Sequence, residues 1–159
     1  MTTIVVGPTE ALSHALAEAS DDVVTIEDNA EDALWETLVA LQTAHEAAPG
    51  RIVLVLPTTG IAGAAGAVDY TTVIEGARAM AKSAARQWAS EGIGVNIVLA
   101  PSHLFVRDVD TSHLSTAAVP DDGALIHSVA ETAKFLLRDD LRHLTGATIV
   151  VDGGSVMLP

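Results

Sequence analysis

Five short apolar runs punctuate the chain: Thr3–Val6, Val23–Ile26, Ile52–Leu56, Val95–Ala100 and Ala147–Val151. Each has strand length and β-branched content, and the apolar positions run on without alternating, as in Ile-Val-Leu-Val-Leu at 52–56, so both faces of such strands are to be covered. The segments between them carry helical spacing. Leu12, Ala15, Leu16 and Ala19 share a face behind Thr9, a capping residue type, and Leu34, Leu38 and Leu41 share one behind Asn29. A third helix is predicted from about Tyr70 to Ser90, stopping at Gly92, and a fourth along Leu125, Val129, Ala133 and Leu136. Strand and helix therefore alternate, which is the pattern of a parallel sheet with helices on both faces.

Right-handed crossovers narrow the topology to a few orders. If strand one lies beside strand two and the chain crosses back for strand three, the order is 2-1-3-4-5. The switch point then falls between strands one and three, where ligands of such sheets gather. The alternative, 1-2-3-4-5, puts successive crossovers on one face and leaves the other for an oligomer to cover. The expectation is an α/β, Rossmann-like, doubly wound sheet of five parallel strands, forming one domain over 1–159. The longest irregular stretch, Leu104–Gly123, reads equally as a lid, an interface or an insertion that is simply tolerated.

Composition trims the list of functions. Eight Lys and Arg stand against 21 Asp and Glu, a balance that repels phosphate backbones and anionic membranes, so no nucleic acid or membrane partner is expected. There is no Cys, which removes disulfides and thiolate chemistry. The first residues lack a basic leader and quickly become acidic, and no run approaches the ~18 apolar residues of a membrane span, so a cytoplasmic protein is expected. Only 3% of residues are aromatic, and Ala is abundant, so the core must be built from aliphatic side chains and close backbone approach. The six His have no short metal-ligand spacing, and no metal site is expected.

From Gly50 onward three motifs recur in the order of a known family. GRIVLVLPTTGIAGAAGAVDY resembles the strand and loop that lead to the catalytic Tyr of short-chain dehydrogenase/reductases; YTTVIEGARAMAKSAARQWASEGIGVNIVLAP resembles the Tyr helix and the strand after it; LTGATIVVDGG resembles the family's ending. Together they cover about two thirds of the chain. The resemblance implies a Rossmann-like fold, a nicotinamide dinucleotide, and hydride transfer by a Tyr, a Lys four residues later and a Ser. It places Tyr70 at the Tyr position, 26 residues before Asn96.

Several residues depart from that pattern. Ile74 stands where the Lys is expected and cannot supply the positive field that lowers a phenol's pKa, so Tyr70 should stay near ~10. Lys82 lies two turns beyond. Pro57 occupies the Ser position, thirteen residues before Tyr70, leaving Thr58 or Thr59 to offer a hydroxyl if the loop shifts. The turn after strand one is VVGPTEAL, with Gly7 as its one glycine and Glu10 at the helix start, where a negative charge competes with pyrophosphate. The chain also reaches GRIV too soon for the two strand–helix units that cradle adenosine in full-length members. Asp28 resembles a ribose-binding acid and Asn29 the family's active-site Asn, although both read more simply as helix caps.

His103, after Pro101 and Ser102 at the end of the fourth strand, is placed for a ligand but reads more simply as a solvated loop His. The Gly63–Gly66 run lacks a following Lys and reads as a connection near the site. Small residues on the Tyr helix, Gly76, Ala77, Ala81, Ala84 and Ala85, permit close packing on the sheet or on another helix. The resemblance implies pairing with a second subunit, and Trp35, Leu34, Leu38 and Val39 would anchor it. These readings lead to a degenerate family member: a structural or regulatory subunit in a homo-oligomer, or a partner of a full-length dehydrogenase. No cofactor is expected, and NAD(P) binds only if the degenerate site is rescued. The alternatives are a small atypical oxidoreductase, lyase or isomerase using Tyr70 with Thr58 or His103, and a ligand sensor built around Gly7, Thr58 and Tyr70.

Overall fold

The computed structural model describes residues 1–28, 32–47, 50–107 and 109–157. In chain order the elements are β1 (Thr2–Val6), α1 (Glu10–Ala19), β2 (Asp22–Ile26), α2 (Ala33–Glu46), β3 (Arg51–Pro57), the short α3 (Thr59–Ala62), α4 (Val68–Trp88), β4 (Gly94–Ala100), α5 (Leu125–Leu136) and β5 (Thr148–Val150). All strand pairs are parallel and the sheet order is β2-β1-β3-β4-β5, the predicted order with its switch point between β1 and β3.

The continuous apolar runs are explained by the two layers they serve. Because strand side chains alternate in direction, Ile4, Val6, Ile52, Leu54 and Leu56 meet α2 and α4. Val5, Val53 and Val55 point the other way, toward Leu12 and Leu16 of α1 and Val129, Ala133 and Leu136 of α5. The central strands β1, β3 and β4 are buried along their whole length, whereas β2, at an edge, is half exposed. Thr9 caps α1 as its residue type suggests, accepting the Leu12 N–H at 3.4 Å. Asn29, expected to cap α2, lies outside the described residues; α2 itself begins after Asp32.

Two helix faces differ from the sequence reading. In α2 the side chains turned inward are Ala33, Thr37, Ala40, Leu41 and Ala44, and Leu34 and Leu38 sit at the flank. Small residues let this helix approach the sheet closely, so of the expected leucines only Leu41 lies on the buried stripe. In α4, Ala77, Ala81, Ala84 and Ala85 are buried within the chain's own core, while Gly76 faces α2: a Cβ there would stand 2.7 Å from Leu34 Cδ2. The small-residue face thus serves packing inside the chain. The short α3 had no sequence signal, and α4 ends in a single 3₁₀ turn closed by Gly92 at φ 82°.

Buried polar groups pin the far strand. Asn96, fully buried in β4, donates to the Leu144 carbonyl at 2.9 Å and accepts the Ala147 N–H at 3.1 Å, fastening the approach to β5. Arg51 at the start of β3 passes over Gly94, where a Cβ would collide with its guanidinium, and donates to the same Leu144 carbonyl at 2.8 Å. Burial pulls the Arg51 pKa down, against the pull of Asp139 and Asp140.

Candidate functional site

Gly7, Asp28, Thr58, Tyr70 and His103, which the sequence singled out, separate into two groups. Gly7, Asp28 and Tyr70 gather at the switch point. Thr58 and His103 line a cleft on the β4–β5 side, and Tyr70 is outside that lining.

At the switch point the chain leaves β1 through Gly7, whose φ of 62° is left-handed. A Cβ there would lie 2.9 Å from the Asp28 Cβ, so the glycine is what allows Asp28 to lie against the turn. Asp28 follows β2 and is not a helix cap, contrary to the simpler sequence reading: it precedes α2 by several residues, and its Oδ1 is buried without a hydrogen bond. Burial pushes its carboxyl pKa up; Arg107 opposes the rise and Asp69 adds to it.

Tyr70, in the first turns of α4, is 1% exposed. The expectation of an ordinary phenol does not hold. Burial, reinforced by the nearby Asp28 carboxylate, pushes the Tyr70 pKa well above its usual value of 10.0, with Arg107 pulling the other way. Absence of the Lys was read correctly from Ile74, which is fully buried, but the desolvation of the ring was not visible in the sequence. Thr59 Oγ1 approaches the phenol and weakly opposes the rise; the contact lacks the geometry of a full hydrogen bond, and Oγ1 is otherwise unpartnered.

Sequence reasoning missed Arg107 altogether. Its guanidinium lies 5.0 Å from the centre of the Tyr70 ring and donates to Asp69 Oδ2 at 2.9 Å. That hydrogen bond holds the Asp69 pKa down and raises that of Arg107. The sole signal would have been the one Arg or Lys of the long loop, beside Asp108 and Asp110, together with an acid immediately before Tyr70.

The same loop crosses the β1 turn. Thr9 N–H donates to the Leu104 carbonyl at 3.0 Å and Val106 N–H donates to the Gly7 carbonyl at 2.7 Å, with Pro8 and Phe105 paired antiparallel between them. Gly7 N–H is taken by the Ile26 carbonyl at 2.8 Å, Leu12 N–H by the Thr9 side chain, and Pro8 has none. Of the amides in this turn that a pyrophosphate would need, Gly7, Thr9 and Leu12 are therefore engaged within the chain, and exposed Glu10 adds a negative charge beside them.

At the second group, Pro57 closes β3 opposite Ala100 and Thr58 N–H donates to the Ala100 carbonyl at 2.9 Å. The exposed His103 pairs through Nε2 with Asp121 at 3.2 Å. The Asp121 pKa is held down chiefly by the Gly123 N–H and then by His103. His113, on the long loop, bonds the Gly63 carbonyl at 2.8 Å, so the loop also spans the Gly63–Gly66 connection. Among the described residues no group of three or more His, Asp or Glu is arranged to hold a metal ion, and no helix is long and apolar enough to cross a membrane.

Comparison with known proteins agrees with this architecture. Residues 14–156 match the family described as enoyl-(acyl carrier protein) reductase. The chain is 36% identical over 118 residues to the 3-oxoacyl-[acyl-carrier-protein] reductase FabG of Salmonella typhimurium, covering 69% of this chain and 47% of that protein. It is 35% identical over 118 residues to the FabG of Escherichia coli, with the same coverage. It thus spans about half the length of these curated relatives. A solved structure of the reductase LugOII, described as catalysing keto-reduction at C1 in lugdunomycin biosynthesis, superposes with a TM-score of 0.50 at 22% identity, covering 66% of this chain and 37% of that one, a likeness of fold. With nine tenths of its length matched and its strand order that of a Rossmann-like sheet, the chain belongs to the short-chain dehydrogenase/reductase family.

Proposed function

We propose that this chain is a non-catalytic member of its family, a structural or regulatory subunit forming one domain that assembles with copies of itself or with a full-length dehydrogenase. The observation that carries this reading is the segment Leu104–Val106 bound across the Gly7–Thr9 turn, where the Leu104 carbonyl takes the Thr9 amide and Val106 N–H donates to the Gly7 carbonyl. Ile74 in place of the Lys and Pro57 in place of the Ser support it: the first provides no charge and the second neither hydroxyl nor N–H. No dinucleotide is required by this role.

Assembly is supported by what the α2 and α4 surfaces leave uncovered. Trp35 is 66% exposed and Val39 41%, beside a groove between the two helices that Leu38, Met80 and Trp88 help to line. Large apolar side chains exposed together favour burial against another surface. Native mass spectrometry of the purified chain, alone and with a full-length family member from the same cell, tests the proposal. A complex or a self-assembly is expected; a monomer that ignores the other protein refutes it. Calorimetric titration should show no NAD or NADP binding.

A second reading has its own support. Tyr70 keeps its phenol proton at neutral pH, and serves a carbonyl or hydroxyl substrate of a small atypical oxidoreductase, lyase or isomerase once the Arg107 side chain over its ring moves aside. Tyr70→Phe abolishes any such turnover and leaves assembly intact; unchanged turnover removes this reading.

A further inference from the structure

The edge of the sheet opposite Tyr70 collects the cations that the rest of the chain leaves unpaired. Of the eight Lys and Arg, four are held by acids: Arg78 by Glu75, Arg107 by Asp69, Lys134 by Glu131 and Arg138 by Asp140. The other four, Arg51, Lys82, Arg86 and Arg142, have no ion pair among the described residues. All four lie near the amino ends of β3, β4 and β5: Arg51 opens β3, Lys82 and Arg86 are on the last turns of α4, and Arg142 precedes β5.

Two adjoining cavities lie there. One, of about 590 Å³, is lined by Arg142, His143, Thr145 and the Gly92–Gly94 turn; the other, of about 600 Å³, by Lys82, Arg86, Thr145 and Gly146. Ala89 and Thr145 belong to both walls, so the two form one recess. No carboxylate lines either, in a chain with 21 Asp and Glu. Glu91, next to Gly92, bonds His45 Nε2 at 2.8 Å instead. Thr145 Oγ1 accepts the Val95 N–H at 3.2 Å, which leaves its hydroxyl proton to donate.

A buried guanidinium stands beside this wall. Arg51 is 3% exposed; its Nη1 donates to Leu144, the residue between His143 and Thr145, and its Nη2 is buried without an acceptor. The side chain lies against Gly94, one of the lining residues. Asp139 and Asp140 act on it from a distance, and neither accepts a hydrogen bond from it among the described residues. A buried cation short of an acceptor makes the space next to it favourable to negative charge.

We infer that this recess is a binding site for a compact polyvalent oxyanion of the phosphate and pyrophosphate class. Arg142 offers a planar fork that matches two oxygens of such an ion, and His143 and Thr145 offer single donors beside it. Lys82 and Arg86 meet a second phosphoryl group in the adjoining lobe. A carboxylate, with two oxygens and one charge, leaves most of these donors without a partner. The net charge of −13 disfavours anions over the surface at large, so the unpaired cations select this edge. The site is remote from Tyr70 and from the turn after β1, and it rests neither on catalysis nor on assembly.

Phosphate, pyrophosphate and acetate, matched in ionic strength, are titrated into the ¹⁵N-labelled chain. Pyrophosphate and, more weakly, phosphate should move the amide resonances of Gly92, Ile93, Thr145 and Gly146 to saturation, and acetate should leave them in place. Arg142 is exposed and makes no hydrogen bond among the described residues, so its replacement tests binding rather than folding. Arg142→Gln should weaken pyrophosphate about tenfold, the size of one charge-assisted hydrogen bond. Arg86→Gln should weaken pyrophosphate and spare phosphate, which occupies the first lobe alone. Lys134→Gln removes the same charge from α5, outside the recess, and should change neither affinity. Shifts that do not saturate, equal response to acetate, or equal weakening by Arg142→Gln and Lys134→Gln overturn the proposal.

Discussion

Replacing Gly7 with Ala separates two roles for this glycine, admission of a pyrophosphate and admission of Asp28. The φ of 62° alone costs a non-glycine residue about 1–2 kcal/mol. The new Cβ would also stand 2.9 Å from the Asp28 Cβ, and one of them must move by several tenths of an ångström. The turn cannot give easily, because Gly7 N–H is held by Ile26 and its carbonyl by Val106. Overpacking of this kind costs about 1–3 kcal/mol. The sum is a loss of about 2–5 kcal/mol, read as a shift of the urea midpoint at unchanged slope. Removing the opposing Cβ with Asp28→Gly in the Gly7→Ala background should return the steric part, a coupling of about 1–3 kcal/mol, and leave the backbone part. A loss below about 0.5 kcal/mol, or two substitutions that simply add, would refute the packing role.

Three further outcomes follow from the charges around Tyr70. It is the chain's single Tyr, so ultraviolet titration reads it directly: phenolate should be absent at pH 10 in the folded protein and appear near its usual pKa in urea, and half-ionisation at or below pH 10 when folded contradicts the burial argument. Asp28 has a folded pKa above its usual 3.8, so its contribution to stability is complete below that value and falls as pH rises through the folded pKa; Asp28→Asn should lack that loss and gain on the wild type between pH 3 and pH 7, by urea midpoint. Arg107→Gln should let the Asp69 carboxyl titrate nearer its usual range, followed by ¹³C NMR; an unmoved Asp69 would show that the pair is incidental.

Strand positions and their order were legible because each depends on a local run of five or so residues and on the handedness of crossovers. Ile74 and Pro57 were legible as substitutions in a motif. What the sequence withheld depends on contacts between distant segments. Arg107 reaches Tyr70 across 37 positions, as read from their numbers, and no periodicity links them. Asp28 looked like a cap because Asp is a capping type, yet its setting is fixed by Gly7, in the turn after β1. Of the α2 leucines that looked inward-facing, Leu41 is, but Leu34 and Leu38 sit at the flank because Ala33, Thr37, Ala40 and Ala44 take most of the contact with the sheet. Thr58 and Tyr70 seemed one site from the resemblance; in the fold Thr58 lines a cleft on the β4–β5 side, while Tyr70 is buried outside that lining.

Leu104–Val106 binds a turn formed nearly a hundred residues earlier, and this bears on synthesis at the ribosome. When β1 and β2 have emerged they can pair, but β1 still lacks its other neighbour until β3 is made, and the Gly7 carbonyl and Thr9 amide stay solvated until the chain passes Val106. The amino-terminal half therefore spends its early life with an unsealed edge, and its closure is delivered by the half that arrives last.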